Sequence, residues 1–304
     1  MNLAELNFPS NRTLVMGILN VTPDSFADGG RYNSLELAVL RGKQMLSEGA
    51  DIIDVGGEST RPGAERITLN EELDRVIPVI AELSQLGAVI SIDTTRSEVA
   101  GAALNAGAKM INDISAGAAD EQMANVAANH GVAFIAMHSR GNAETMNSLA
   151  QYEDVTSEVI SELTNRVNVL IQAGVEKTNL ILDPGLGFAK EAEDNWTLLK
   201  ELSRIMELGF PVLVGGSRKR FLGALVGAMQ PDAREAATIA LTTILAEQRV
   251  WGVRVHGVKA HRDAISLVER MRLWIKFRSL EFKVMATMAF LNMSALMAKS
   301  FWWI

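Results

Sequence analysis

The chain has 304 residues, of which 48% are hydrophobic and 21% charged, enough for a sizeable core in one large domain or two small ones. A net charge of −7 leaves no basic stripe to hold a phosphate backbone, so no nucleic-acid partner is expected. The absence of cysteine excludes disulfides and thiolate metal sites and fits a cytoplasmic location.

Met1–Pro9 contains Glu5 and no apolar run, so it does not read as a signal peptide. Beyond it, short β-rich runs alternate with longer amphipathic stretches. Strands are predicted at Thr13–Leu19, Asp51–Val55, Ala88–Ile92, Met110–Asp113, Val132–Ala136, Asn179–Leu182, Pro211–Val214 and Val250–Val255. Helices are predicted between and after them at Ser34–Glu48, Asn70–Leu86, Arg96–Ala106, Asp120–Asn129, Tyr152–Ala173, Glu193–Leu208, Asp232–Glu247 and Ala260–Lys276. Six helical patterns stop at Gly49, Gly87, Gly107, Gly131, Gly174 and Gly209, as left-handed caps require. The helix–cap–strand unit echoes itself in SEGADIID, SQLGAVISID and LNAGAKMIND. Strands that each feed a helix pair in parallel through right-handed crossovers. Eight such repeats in about 270 residues predict an α/β fold, a single (β/α)8 TIM barrel over residues 1–276 with long loops after strands 1 and 2.

Residues 277–304 form an atypical apolar extension. Val284 to Ile304 reads VMATMAFLNMSALMAKSFWWI, with Lys299 its only charge. A membrane span needs about 20 apolar residues; the length is borderline, and Asn292, Ser294 and Lys299 break the run. A span is therefore not expected, while an appended extension and a packed or partner-bound helix both stay open.

In barrels of this kind chemistry sits where strands run into their following loops. Strand one ends in Asn20, and strand two runs into Gly56-Gly57-Glu58-Ser59-Thr60-Arg61-Pro62. The next four end in Asp93-Thr94, Asn112-Asp113, Met137-His138 and Asp183; strand seven runs into Ser217-Arg218-Lys219, and strand eight ends in Arg254-Val255-His256. Polar groups closing nearly every otherwise apolar strand are hard to explain by packing. Ring closure would bring Asn20 beside Arg254 and His256, which, two apart on a strand, should face the same way. That trio suits an anion and a hydrated metal: the Arg offers a planar fork, and the Asn oxygen suits Mg²⁺ held mainly by phosphate and water. A second group, Asp93, Asn112, Asp183 and Lys219, suits a flat heterocycle rich in N–H donors. The loops Val21–Asn33 and Gly56–Thr68 exceed the usual 2–6 residues and read as lids.

Seven motifs occur in one order: GILNVTPDSFADGG at Gly17–Gly30, DIIDVGGESTRPGA at Asp51–Ala64, SIDT at Ser91–Thr94, INDI at Ile111–Ile114, LDPGLGF at Leu182–Phe188, SRKRFLG at Ser217–Gly223 and VRVH at Val253–His256. In these the chain, over roughly residues 13 to 275, resembles the dihydropteroate synthases. The resemblance implies condensation of 6-hydroxymethyl-7,8-dihydropterin diphosphate with 4-aminobenzoate to 7,8-dihydropteroate and pyrophosphate, assisted by Mg²⁺. It implies pterin contacts from Asp93, Asn112, Asp183, Lys219, Met137 and Phe188. Diphosphate contacts would come from Asn20, Arg254, His256, Thr60 and Arg61, with Asn20 at the metal. Phe26, Thr60, Arg61, Pro62, Phe188, Ser217, Lys219 and Arg220 would line the aminobenzoate site, and Asp28, Asp93 and Lys219 would serve catalysis. Family members are usually homodimers, and sulfonamides mimic the aminobenzoate. Thr60–Ala64 resembles the loop of drug-sensitive chromosomal enzymes, yet sensitivity or resistance stays open.

Three positions depart from the commonest family pattern. Arg220 stands where Ser is frequent, Gly257 where Asp is frequent, and Leu186 where Phe is frequent. Two other readings share the barrel: a pterin-dependent methyltransferase serving a corrinoid partner, and a non-catalytic paralogue. The TRPGA and VRVH segments argue against the first; the retained Asn20, Asp28, Thr60, Arg61, Arg254 and His256 argue against the second.

Overall fold

Strands that are buried along their whole length need cover on both faces, and here the cover comes from rolling the sheet into a ring. The computed structural model describes residues 2–22, 31–59, 66–141 and 145–274. The loop tips that carry Phe26, Asp28, Thr60, Arg61 and Pro62, and the extension 277–304, lie outside the described residues. The strands are β1 (Leu14–Asn20), β2 (Ile52–Gly56), β3 (Ile90–Asp93), β4 (Met110–Asp113), β5 (Ala133–Met137), β6 (Leu180–Asp183), β7 (Leu213–Val214) and β8 (Gly252–Val255). They form one sheet in the order β6-β5-β4-β3-β2-β1-β8-β7, parallel at every pairing. A single parallel bridge, Leu182 to Val212, joins the two ends. The architecture is the (β/α)8 barrel that the alternation predicted.

Helices α1 (Arg31–Ser47), α2 (Leu69–Gln85), α3 (Ser97–Asn105), α4 (Met123–His130), α5 (Val155–Gln172), α6 (Ala192–Lys200), α7 (Leu202–Met206), α8 (Arg220–Val226) and α9 (Glu235–Glu247) pack outside the ring, followed by α10 at residues 258–274. Thr68 caps α2 by accepting from the Glu71 N–H, and Asp154 caps α5 by accepting from the Ser157 N–H. All six glycines expected to end helices have positive φ, from 58° to 118°. Three expectations change in detail, the first being α8 (Arg220–Val226), a helix where none was predicted. The stretch Glu193–Leu208 is two helices that meet at Glu201, and strand seven shrinks to Leu213–Val214 because Pro211 offers no N–H to a ladder.

The period of two sorts the strand residues into two shells. Outward side chains such as Val15, Ile53, Ile92, Ile111, Phe134, Leu182 and Val253 pack against the helices. Inward ones fill the lumen: Met16, Ile52, Met110, Ala133, Ile135, Ile181 and Leu213 form its lower layers, plugged from below by Leu3, Leu6, Phe8 and Trp251. The lumen is thus a packed core at one end, with its charged side chains at the other. Met110 is fully buried in that lower layer. Met110→Ala is expected to lower the unfolding free energy by about 2–5 kcal/mol in urea denaturation, and a loss under about 1 kcal/mol would mean that the lower lumen is loosely filled.

Candidate functional site

One stride of two residues above the apolar lumen, the inward positions become polar. Asp54 follows Ile52, Asp93 follows Ser91, Asn112 follows Met110, Asp183 follows Ile181, and Arg254 follows Gly252. Asp54, Asp93, Asn112 and Asp183 are buried, with Asp54 fully inaccessible and Asp93 only 8% exposed. Arg254 reaches across from β8 to meet two of them: its Nε lies 2.6 Å from Asp54 Oδ2 and its Nη2 2.5 Å from Asp93 Oδ2. Asn112 Nδ2 donates to the same Asp54 oxygen at 3.0 Å, while Asp54 Oδ1 has no hydrogen-bond partner.

These contacts redraw the expected grouping. Arg254 joins the carboxylates rather than standing apart, and the β1–β8 register sets Met16, not Asn20, against it. Asn20 instead shares a level with Gly56, Asp93 and Asn112 through successive registers. A Cβ on Gly56 would stand 3.8 Å from Asn20 Oδ1 and 3.7 Å from Asp93 Oδ2, so the glycine keeps open the space between two oxygen donors. His256 lies beyond the end of β8 at Val255, so strand alternation does not set its direction. His256 turns to the loop after β7, where its Nδ1 lies 2.9 Å from Ser217 Oγ. Ser217 is buried against this imidazole. Beyond it, a Cβ on Gly257 would come within 2.4 Å of Glu235 Oε1. Glu235 therefore fills the space that an Asp at 257 would take, and its other oxygen accepts from Arg218 at 2.7 Å.

The segment after β6 supplies the opposite wall. Asp183 Oδ1 accepts the Gly185 N–H at 2.7 Å. Gly185 has φ +68° and lies against the His138 carbonyl so closely that a Cβ would be 1.9 Å from that oxygen, so only glycine fits there. The turn delivers Phe188 beneath Lys219, whose Nζ is 4.1 Å from the ring centroid, within cation–π range. Met137 closes β5 as a buried neighbour of Asp183 in register. Arg220, the first residue of α8, is exposed, and Leu186 is buried in the core. The flanks of the loop after β2 are tied by Arg96, which pairs with Glu58 at 3.0 Å and Glu72 and donates to the Ile67 carbonyl at 2.6 Å.

The electrostatics follow from packing several charges together with little water. Burial pushes Asp93 up to about 7 despite Arg254, and Asp54 adds to the rise. Burial raises Asp183 as well, and it lowers Lys219 to about 8, with Arg254 adding to the fall. Arg254 stays charged: burial opposes its charge, but Asp54 and Asp93 outweigh that and raise it. The rim thus offers carboxylate and amide acceptors for N–H groups beside two cations for an anion. The sequence reading passed over Asp54. Its signal is a carboxylate at an inward position in the apolar strand Ile52–Gly56, set below the strand end rather than at it.

Comparison with known proteins points one way. The profile of a family described as pterin binding enzyme matches residues 16–256. A dihydropteroate synthase of Mycobacterium leprae is 49% identical over 260 residues, covering 84% of this chain and 92% of that protein. The Xanthomonas albilineans dihydropteroate synthase solved with 4-aminobenzoic acid superposes with a TM-score of 0.82 at 42% identity, covering 88% of this chain and 94% of that one. A Yersinia pestis dihydropteroate synthase in a sulfonamide drug complex gives a TM-score of 0.82 at 39% identity, covering 87% and 96%.

Two carboxylates facing one guanidinium should take up a proton near neutrality. The side-chain carboxyl carbon of Asp93 is expected to titrate by NMR with a midpoint near pH 7; a midpoint near its ordinary 3.8 would remove the imbalance. Because the folded value is raised, the group's contribution to stability is complete below the unfolded value and lost as pH rises through the folded one. The melting temperature of Asp93→Asn relative to the unmodified protein is therefore expected to be more favourable at about pH 8 than at about pH 4.

Proposed function

The chain belongs to the dihydropteroate synthases among the pterin-binding enzymes, and from that membership we infer that it joins 6-hydroxymethyl-7,8-dihydropterin diphosphate to 4-aminobenzoate, releasing pyrophosphate and 7,8-dihydropteroate. The observation that carries this reading is the convergence of Asp93, Asn112, Asp183 and Lys219, from four separate strands and loops, on one lumen mouth that also holds Arg254.

In this reading the pterin lies flat over the apolar lumen. Its ring N–H groups donate to Asp93 and Asp183, replacing the water that burial removed, and Asn112 both donates and accepts. Lys219 donates to the ring carbonyl and offsets the carboxylates. The diphosphate takes Arg254, His256 and Asn20, with Thr60 and Arg61 reaching in from the second loop. The aminobenzoate lies between Phe188, Ser217, Lys219 and Arg220, under Phe26, Thr60, Arg61 and Pro62.

The arylamine is neutral near pH 7, so its lone pair needs no strong base. The hard step is loss of pyrophosphate: the methylene C–O bond breaks, its electron pair leaves with the diphosphate oxygen, and the methylene carries positive charge. In this reading Asp93 and its neighbour Asp54 would favour that charge electrostatically, and Arg254, paired with both, would favour the departing oxygens. The amine nitrogen then bonds to the methylene and loses a proton. Closure over the mouth by the first loop, with Asp28, would keep water from capturing the cation. A hydrated Mg²⁺ would be held beside Asn20, whose amide oxygen faces Asp93 Oδ2 across the space above Gly56, both of them hard oxygen ligands. Bound there, Mg²⁺ would neutralise charge on the leaving diphosphate.

Sulfonamides would compete for the aminobenzoate position, and the working form would be a cytoplasmic homodimer. Among the described residues no helix is long and apolar enough to cross a membrane. The reading is tested by following pyrophosphate with both substrates present. Release that needs both is the expected result, and release without the arylamine, or none, would overturn it. Asp183→Ala is expected to abolish pterin binding in calorimetry while the protein stays folded; unchanged affinity would remove Asp183 from the site.

A further inference from the structure

Next to Phe188 lies a polar chain, centred on the buried His138, that the reaction does not use. Lys190 Nζ donates to the Phe188 carbonyl at 3.0 Å and meets His138 Nδ1 at 2.8 Å. The Glu162 carboxylate only accepts, so His138 carries its proton on Nε2 and donates to Glu162 Oε2 at 3.0 Å, which leaves Nδ1 of the ring to accept from Lys190, whose own pKa burial lowers to about 7. Glu162 is fixed in turn by Arg140, which stacks over the Tyr152 ring at 4.0 Å. The Tyr152 hydroxyl donates to the Ala189 carbonyl at 2.8 Å.

We propose that Lys190, oriented by His138 and Glu162, is a positioning residue that holds Phe188 beneath Lys219 and thereby sets the fit of the arylamine substrate. The inference rests on the reading of Phe188 and Lys219 as substrate contacts.

Three features support it. The chain of bonds runs from Glu162 on α5 to the backbone of the segment that carries Phe188. That segment needs restraint, because Ala189 takes a left-handed φ of +46°, which a residue with a Cβ adopts at a cost. Both of its sides are anchored to the end of β5: Gly185 packs on the His138 carbonyl, the His138 N–H donates to the Asp183 carbonyl at 2.9 Å, and Lys190 holds the His138 ring. Burial, with Lys190 and Arg140 nearby, lowers His138 to about 4, so near neutral pH the imidazole is uncharged and can accept from Lys190. A lysine is suited to this place because one head group can bond a ring nitrogen and a carbonyl at once.

The test uses steady-state pyrophosphate release by the full chain with Lys190→Met, which keeps the volume and removes the donors. The Michaelis constant for 4-aminobenzoate is expected to rise about tenfold or more, with kcat falling less than about threefold, because ground-state fit is lost while the reacting groups stay. His138→Asn should move the same constant in the same direction. The double variant should be no worse than Lys190→Met alone, since the two act as one unit. Tyr152→Phe, which deletes a single hydroxyl, should raise the constant about twofold. A folded Lys190→Met with an unchanged Michaelis constant, or with a lower melting temperature as its only effect, would overturn the proposal, as would additive effects in the double variant. If Lys190→Met does not fold, His138→Asn and Tyr152→Phe decide, and unmoved constants in both would overturn it. Failure of the unmodified protein to release pyrophosphate would refute the functional reading itself, a result distinct from any of these.

Discussion

One guanidinium holds the mouth of this barrel together. Arg254 spans the lumen to Asp54 on β2 and Asp93 on β3, and Asn112 on β4 leans on the same Asp54 oxygen. Removing one member of a buried ion pair typically costs about 3–5 kcal/mol, because the other is left buried without a counter-charge. Burial raises Asp93 against the pull of Arg254, and the second carboxylate, Asp54, adds to the rise. A site left in that state is primed for ligands that bring N–H donors or cations of their own. Both the pterin ring and a hydrated metal ion have that character.

The barrel separates its tasks by height. Met16, Ile52, Met110 and Ile181 supply packing below, and Asp54, Asn112 and Asp183, two residues on from the last three, supply polar groups above. The loops are then fastened to the rigid ring from outside the lumen: Arg96 ties both flanks of the second loop, and the His138–Lys190 pair ties the segment after β6. Chemistry placed on loops in this way keeps its geometry without asking the lumen to change.

Much of this was legible in the sequence, because strand ends and helix caps leave local signals. Each of the eight strands and the glycine caps fell where period and turn chemistry put them, and Asp93, Asn112 and Asp183 showed as polar closures of apolar runs. What escaped depends on how strands pair and where they stop. Asp54 lies mid-strand, so its role appears only once β8 brings Arg254 opposite. His256 lies one residue past the end of β8, a boundary that Val253–His256 does not mark, and its contact with Ser217 shows only in the fold. The split of α6 from α7 at Glu201 has no Pro or Gly to announce it. The His138–Lys190 contact joins residues 52 positions apart and needs the fold to be seen.

The ring is not equally strong around its circumference. Most neighbouring strands share four or more paired positions, but β6 and β7 meet through one bridge, Leu182 to Val212. Asp183 stands at the end of one of these strands and Lys219 just beyond the other. A molecule gripped by both residues would span the thinnest join in the cylinder and act as its clasp. Occupancy and the mechanical integrity of the barrel are thereby linked, and the empty enzyme should exchange its β6–β7 amide hydrogens sooner than those of any other seam.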